Sequence, residues 1–403
     1  MKKSLFAVAA LSAIAGAAQA QSSVTVYGIL DVGYANTSTR VAAKKENTSL
    51  FDQSRETSSR LGFKGTEDLG GGTSAFFTVE MGLSPQATTM SSVDNRQSFL
   101  GLKKNGIGAA SLGTQYTTGH DAVAATDPGG SNNAVGSVIR PNGGSTNNES
   151  GQYNASVAEV VASTNMLKFN SDKFAGFGLN AMYVQNGKNN TVEANKTTYA
   201  VSSTTSTLKA TTAGVGGQTN YTGWGLAADY TWKKLYATAA FQSFKQQQDA
   251  VAIPRAAALP TSSVWATDNT VSTSANTTDN GFYGAATYDF GILKAYANYI
   301  SRKVTSNINS NEYLKRTGQQ IGVRSYITPT IEGWASIGNG RYSAFGQNAP
   351  TANYNAWQLG SNYYLSKRTN LYGIYGQSLT SSTTTTVGGA AASQFAVGVR
   401  HTF

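Results

Sequence analysis

Alternation with a period of two dominates this chain. Segments of about ten residues carry apolar or aromatic side chains at every second position, with Thr, Ser, Gly, Asn, Gln or a charge between them. That is the pattern of a strand whose two faces meet different surroundings. The final segment shows it plainly: Phe395, Val397 and Val399 share one face with Phe403, while Gln394, Arg400 and Thr402 share the other. Helical periodicity is almost absent after the first twenty residues. About sixteen alternating segments can be counted, the first opening near Ser23 and the last near Ser393.

The connections between segments are long and short by turns. Long polar ones occupy 36–57, 84–95, 117–163, 188–221, 247–279, 304–315, 342–354 and 380–392. Short ones carry tight-turn chemistry, as in Glu67-Asp68-Leu69-Gly70-Gly71-Gly72, Lys103-Lys104-Asn105-Gly106, Asp289-Phe290-Gly291, Thr328-Pro329 and Ser366-Lys367-Arg368. A soluble sandwich has no reason to gather every long loop at one end, whereas an outer-membrane barrel has short periplasmic turns and long external loops. Ten residues at about 3.3 Å each, tilted by about 40°, span about 25 Å, the height of such a barrel's apolar band. The expected fold is all-β: a transmembrane antiparallel β-barrel of about 16 strands with both termini periplasmic. Glycines inside strands, such as Gly28, Gly62, Gly101 and Gly398, ease the bends and close approaches of a closed barrel.

Composition then removes alternatives. A mean hydropathy of -0.28 argues against helical spans, which need about 20 mostly apolar residues in a row. A barrel escapes that argument, because only alternate residues meet lipid. The one strongly apolar run is Leu5 to Ala18, preceded by Lys2 and Lys3 and followed by the small-x-small site Ala18-Gln19-Ala20. Residues 1–20 read as a secretory signal peptide ahead of a barrel spanning 21–403. The chain has no cysteine, which excludes disulfide and thiolate-metal scaffolds. Net charge is +10; without Lys2 and Lys3, 29 basic residues face 21 acidic ones, or +8. The cations are scattered singly, unlike the clustered footprint of a nucleic-acid binder, so no nucleic acid is expected.

A barrel of about sixteen strands is too wide for side chains to fill, so a water-filled channel is expected. A hydrolase would need a nucleophile, a base and an orienting group, or a metal with an open position. The only histidines are His120 and His401, and no GxSxG, HExxH or paired-histidine spacing occurs. No catalysis, metal or cofactor is therefore expected. The expected function is passive diffusion of small hydrophilic solutes and ions across the cell outer membrane. A substrate-preferring channel and a non-conducting structural or adhesive barrel stand as alternatives.

Facing follows from apolar neighbours. If Leu61 and Phe63 meet lipid, Arg60 and Lys64 face the lumen; if Leu167 and Phe169 do, so does Lys168. The same alternation turns Arg324 and Arg400 inward, with Asp31 and Glu80 as inward acids. On the lipid face each charge would cost about 2–4 kcal/mol at mid-membrane. Charged rings set ion preference in a narrow pore.

Several motifs resemble the trimeric general-diffusion porins of β-proteobacteria, including the neisserial type. The opening Ser22-Ser23-Val24-Thr25-Val26-Tyr27-Gly28-Ile29-Leu30-Asp31-Val32-Gly33 is similar, and Ser59-Arg60-Leu61-Gly62-Phe63-Lys64-Gly65-Thr66-Glu67-Asp68-Leu69-Gly70-Gly71-Gly72 is the most specific run. Ala75-Phe76-Phe77-Thr78-Val79-Glu80-Met81-Gly82, Arg96-Gln97-Ser98-Phe99-Leu100-Gly101-Leu102 and Leu365-Ser366-Lys367-Arg368-Thr369 fit as well. The resemblance implies a 16-stranded homotrimer whose third external loop, here 117–163 with Asp121, Asp127, Glu149 and Glu159, folds into the lumen as a constriction. It implies a basic wall ladder at Arg60, Arg96 and Lys168, and terminal Phe403 as the signal read by the barrel-assembly machinery. Outer-membrane lipid and lipopolysaccharide would be its surroundings. The ladder and the +8 charge together lead us to expect a mild preference for anions. One departure stands out: where the family commonly reads Leu-Gly-Arg-Gln, this chain has Leu112-Gly113-Thr114-Gln115. Its third loop is rich in Asn, Gly and Ser, and a loop of over about 40 residues without regular structure is usually functional or disordered.

Overall fold

β-Branched and aromatic residues at alternate positions favour pleated, half-buried strands, and strands they form. The structure, a computed structural model, describes residues 23–41, 44–86, 94–140, 161–192, 199–201, 208–210, 217–248, 277–307, 310, 313–345, 351–381 and 389–403. The signal-peptide region, Glu149 and Glu159 lie outside the described residues. In chain order the strands are β1 (Ser23–Val41), β2 (Lys44–Gln53), β3 (Arg60–Gly70), β4 (Thr73–Gly82), β5 (Asp94–Lys104), β6 (Gly108–Tyr116), β7 (Ala162–Ser171), β8 (Phe177–Val192), β9 (Tyr199–Val201) and β10 (Leu208–Ala210). There follow β11 (Gly217–Trp232), β12 (Leu235–Gln248), β13 (Thr277–Asp289), β14 (Lys294–Ser306), β15 (Tyr313–Thr328), β16 (Ile331–Phe345), β17 (Ala352–Tyr364), β18 (Thr369–Thr380) and β19 (Ala390–Thr402). One helix, α1 (Thr118–Thr126), lies between β6 and β7.

Sixteen of these strands close an antiparallel barrel, each beside its neighbour in the chain; β2, β9 and β10 are additions to it. Closure is made by β1, which pairs with β19 on one side and β3 on the other. At the seam the Gly28 amide donates to the Phe403 carbonyl at 3.0 Å and the Phe403 amide returns the bond at 3.1 Å. A Cβ on Gly28 would fall 2.3 Å from the Phe403 ring, so only glycine admits that ring.

Register separates the faces. Asp31, Gly33 and Ala35 stand opposite Arg400, Gly398 and Ala396, and Val32 and Tyr34 stand opposite Val399 and Val397. Of the second set Val32, Tyr34 and Val399 are exposed, with Val24, Val26 and Leu30; Leu100, Leu102, Leu112, Leu167, Ile321 and Val323 continue the apolar belt round the outside. A continuous exposed apolar band suits lipid and nothing in water. The packed core is on the inside. There Ala122, Val123 and Ile139 meet Ala227, Ala240, Tyr283 and Ile300, while Ala134 meets Trp334, Tyr372 and Ile374.

Three segments differ from the sequence reading. Residues 36–57, read as a loop, form a hairpin in which β1 runs on to Val41 and pairs with β2, for example Arg40 with Lys45. Segment 188–221 carries the end of β8, the small β9–β10 pair and the start of β11. Both are polar extensions above the apolar band, where backbone pairing proceeds without an apolar period to announce it. The third difference is α1, inside a loop expected to lack regular structure.

Candidate functional site

Residues 117–140 fold into the barrel. Thr117 starts α1 by accepting the His120 amide on its side chain at 3.1 Å, satisfying an otherwise orphaned donor. The face laid on the wall is Thr118, Gly119, Ala122, Val123 and Thr126, which packs against β11, β12 and β13. Beyond α1 the chain is pinned by wall side chains. Asn298 donates to the Thr126 carbonyl at 2.9 Å, Arg324 to that of Pro128 at 3.2 Å, and Gln358 to those of Ala134 and Val135 at 3.1 and 3.0 Å. The Val138 amide donates to Gln320 at 3.0 Å, and Arg316, fully buried, donates to the Val138 and Ile139 carbonyls at 3.0 and 3.1 Å.

Glycine makes room for this docking. A Cβ on Gly376 would sit 1.8 Å from the Val135 carbonyl oxygen, and one on Gly322 2.5 Å from the Pro128 ring. At its far reach the loop meets the turn between β2 and β3, where the Asn133 amide donates to the Arg55 carbonyl at 2.9 Å and its side chain to the Ser54 carbonyl at 2.7 Å. The segment therefore lines the inner wall of β11–β19. The loop also covers β1 at Ala35, which packs with Ala134; among the described residues, segment 117–140 makes no hydrogen bond to Arg60, Lys64, Glu80 or Arg96, and that part of β3–β5 is the uncovered wall.

On the uncovered wall the charges gather round Glu80. Arg96 donates to it at 2.8 Å, Tyr27 at 3.1 Å, and Arg60 lies 3.6 Å away. Arg96 also reaches the Tyr116 hydroxyl at 2.5 Å. A register shift between Glu80 and Met81 in the β4–β5 pairing turns Arg96 toward this face. Two guanidinium groups thus share one carboxylate. Lys64 stands on the same face, with its ammonium 5.3 Å from the centre of the Tyr27 ring. Thr114, in place of the arginine that the resemblance expects, is buried opposite Ser98; the cation on this part of the wall is Arg96, from the neighbouring strand.

The remaining expected residues face inward by register, yet most are matched. Lys168 is buried beneath α1, donating to Asp121 and to the Tyr116 carbonyl at 2.9 Å. Arg324 grips Glu332 with two bonds of 2.6 and 2.8 Å, and Arg400 lies 3.6 Å from Glu56. Two expectations need correction. Asp31, expected as an inward lumen acid, is completely covered; it accepts the amides of Glu56 and Thr57 at 2.9 and 2.7 Å and the Tyr372 hydroxyl at 2.7 Å. It holds the β2–β3 turn and does not meet the aperture. Asp127 is also buried, accepting the Ser131 amide at 2.7 Å and Gln320 at 3.2 Å, because it caps a turn of the docked loop. Burial pushes its carboxyl above the ordinary range, against the pull of the Ser131 amide and of the Arg140 and Arg324 charges.

His120 packs on Tyr116, ring centres 4.7 Å apart, and His401 pairs with Thr369 at the turn end. Among the described residues no group of His, Asp and Glu could hold a metal ion. Residues that sequence reasoning passed over include Tyr27, Tyr116, Glu56, Glu332, Arg316 and the buried pair Arg302–Asp279, bonded at 2.5–3.0 Å. Alternation places Arg302, Arg316 and Glu332 inward, but nothing in it says that a loop would lie on them.

A closed barrel with an apolar outside, a charged inside and a loop folded across its interior is a membrane channel. The family model for Gram-negative porins matches residues 7–384, and the chain belongs to that family; it is a porin of the outer membrane. It is 27% identical over 427 residues, the whole of both chains, to an outer membrane porin protein of Bordetella pertussis. In fold it is similar to an anion-selective porin from Comamonas acidovorans (TM-score 0.68, 21% identity, 95% of this chain and 100% of that one). It is likewise similar to the outer membrane protein OmpT of Vibrio cholerae in a trimer form (TM-score 0.62, 15% identity, 95% and 99% covered).

Proposed function

We propose that this porin passes small hydrophilic solutes and ions with a mild preference for anions, and that Arg60 and Arg96 on the uncovered wall set that preference. The observation that carries the reading is charge matching. Lys168, Arg324, Arg400 and Arg302 each face a carboxylate of their own, whereas Arg60 and Arg96 share Glu80. The uncovered wall therefore keeps one unmatched positive charge, with Lys64 as a second farther along the same face. A cation lining a constriction concentrates anions. The fold likeness to a porin described as anion-selective is in keeping with this. The reversal potential of single channels in a salt gradient is the test: the expected sign is that of anions moving down their gradient, and a clear cation potential would overturn the reading.

We also propose that the protein acts as a homotrimer and that Phe403 serves as its assembly signal. A related fold is solved as a trimer. The Phe403 ring lies on the outer face beside Gly28, partly exposed. Chemical cross-linking in outer-membrane vesicles should yield a three-chain species, and Phe403→Ser should lower the amount of folded barrel in the membrane.

A further inference from the structure

The outer face of β12–β16 carries a feature that a channel does not need. Outward residues on β15, read upward from the periplasmic turn, are Ile327, Ser325, Val323 and Ile321, then Gln319, Thr317 and Lys315. The eight steps from Ile327 to Gln319, at about 3.3 Å each and tilted by about 40°, climb about 20 Å of a band about 25 Å tall. Gln319 thus marks the upper edge of the apolar band, and Lys315 lies just beyond it at the end that bears the long loops. At that level the neighbouring strands present Lys245, Lys303 and Arg341 on the same outer face.

Two details set this cluster apart from ordinary surface charge. Lys303 and Lys315 are directly opposite one another in the register, a placement of like charges that costs stability unless an anion lies between them. Arg341, opposite Thr317, is diagonal to Lys315. Among the described residues none of the four cations has a carboxylate within ion-pair distance, although most lumenal cations do. Lys303 instead rests over the Tyr313 ring at 4.3 Å.

Directly below runs a groove of about 790 Å³ on the outer face. Its floor is made of small residues, Gly284, Ala286 and Ala297, and its sides of Tyr299, Ile321 and Trp357. Gln319, which donates to Asn339 at 3.1 Å, closes its upper edge with an amide pair. Nothing crowds the floor: a Cβ on Gly284 would touch only the Phe282 ring, at 3.4 Å.

A cationic head site, an amide step and an apolar groove in line down the barrel have the shape and polarity of one amphiphile. We propose that this face binds a phosphorylated lipid of the outer leaflet, its phosphate between Lys303, Lys315 and Arg341 and one acyl chain in the groove over Gly284. Lys245 adds charge at the edge. The site is on the outside of the wall, so it is independent of the pore and of its ion preference.

The test uses the full-length protein refolded in detergent, titrated with bisphosphorylated lipid A and followed by native mass spectrometry. One lipid per chain should be retained. The variant Lys303→Ser/Lys315→Ser/Arg341→Ser should bind at least about tenfold more weakly, a cautious figure given roughly fivefold per cation at an anionic surface. Dephosphorylated lipid A should bind the wild type equally weakly, and inorganic phosphate at the same concentration should not displace the lipid. Gly284→Leu should weaken lipid A binding by filling the groove. Unchanged single-channel conductance in both variants shows that they fold. Equal affinity of wild type and triple variant, equal binding of the dephosphorylated lipid, or displacement by inorganic phosphate would overturn the proposal.

Discussion

The two halves of the inner wall treat charge in opposite ways. Under the docked loop, from β11 to β19, each paired cation has an acid of its own: Arg302 holds Asp279 with both 3% exposed, Arg324 holds Glu332, Arg400 faces Glu56, and Arg316 donates to two loop carbonyls. Across the lumen Arg60 and Arg96 remain 19% and 12% exposed and share the single acid Glu80. A buried pair loses most of its Coulomb gain to desolvation and mainly holds a loop or strand in one place. A cation that shares its acid with a second one leaves positive charge to act on passing ions. On the proposed reading, one half of the wall holds the loop and the other sets ion preference.

That contrast can be broken most forcefully at Asp279. Replacing it by Ala strands a buried guanidinium, and removal of one partner of such a pair costs about 3–5 kcal/mol; thermal unfolding in detergent should show the loss while ion preference stays put. A comparable loss on Glu80→Gln would erase the distinction between the halves. Next in size is Gly376→Val. Overpacking costs about 1–3 kcal/mol, and here it falls on loop docking, so single-channel records should show open-state noise from a loop that lifts about tenfold more often. Steady wild-type traces would mean that the loop is held elsewhere.

The smallest expected effect is on acidity. Asp127 has its carboxyl raised by burial, so the docked state holds the proton better than the free loop. An acid raised in this way contributes stability that is present in acid and fades as pH rises through its folded value. Loop docking should therefore tighten modestly as pH falls through the carboxylate range, measured as the pH dependence of loop noise, and Asp127→Asn should remove that dependence.

The barrel was legible because alternation reports directly which face meets lipid. Val397 and Val399 against Gln394 and Arg400 suffice to place β19, and the register agrees. The inward positions of Arg60, Lys64, Lys168, Arg324 and Arg400 follow from the same rule. What each side chain does there was not legible, because partners such as Lys168 and Asp121 are 47 residues apart and meet only once the loop is docked. Helix α1 escaped because its buried face is Thr118, Gly119, Ala122, Val123 and Thr126, small residues with no apolar stripe to show a period. Asp31 misled for a related reason: alternation gives direction but not cover, and the β2–β3 turn folds over it.

The central claim is that the uncovered wall, through Arg60 and Arg96, sets ion preference. A unit charge about 4 Å from a passing ion in water is worth about 1 kcal/mol, or about fivefold in local ion concentration. Reversal potentials of wild type and Arg60→Ser/Arg96→Ser channels in the same salt gradient test this directly. The predicted result is an anion potential in the wild type that collapses or changes sign in the double variant, where Glu80 is left unmatched. An unchanged potential would contradict it.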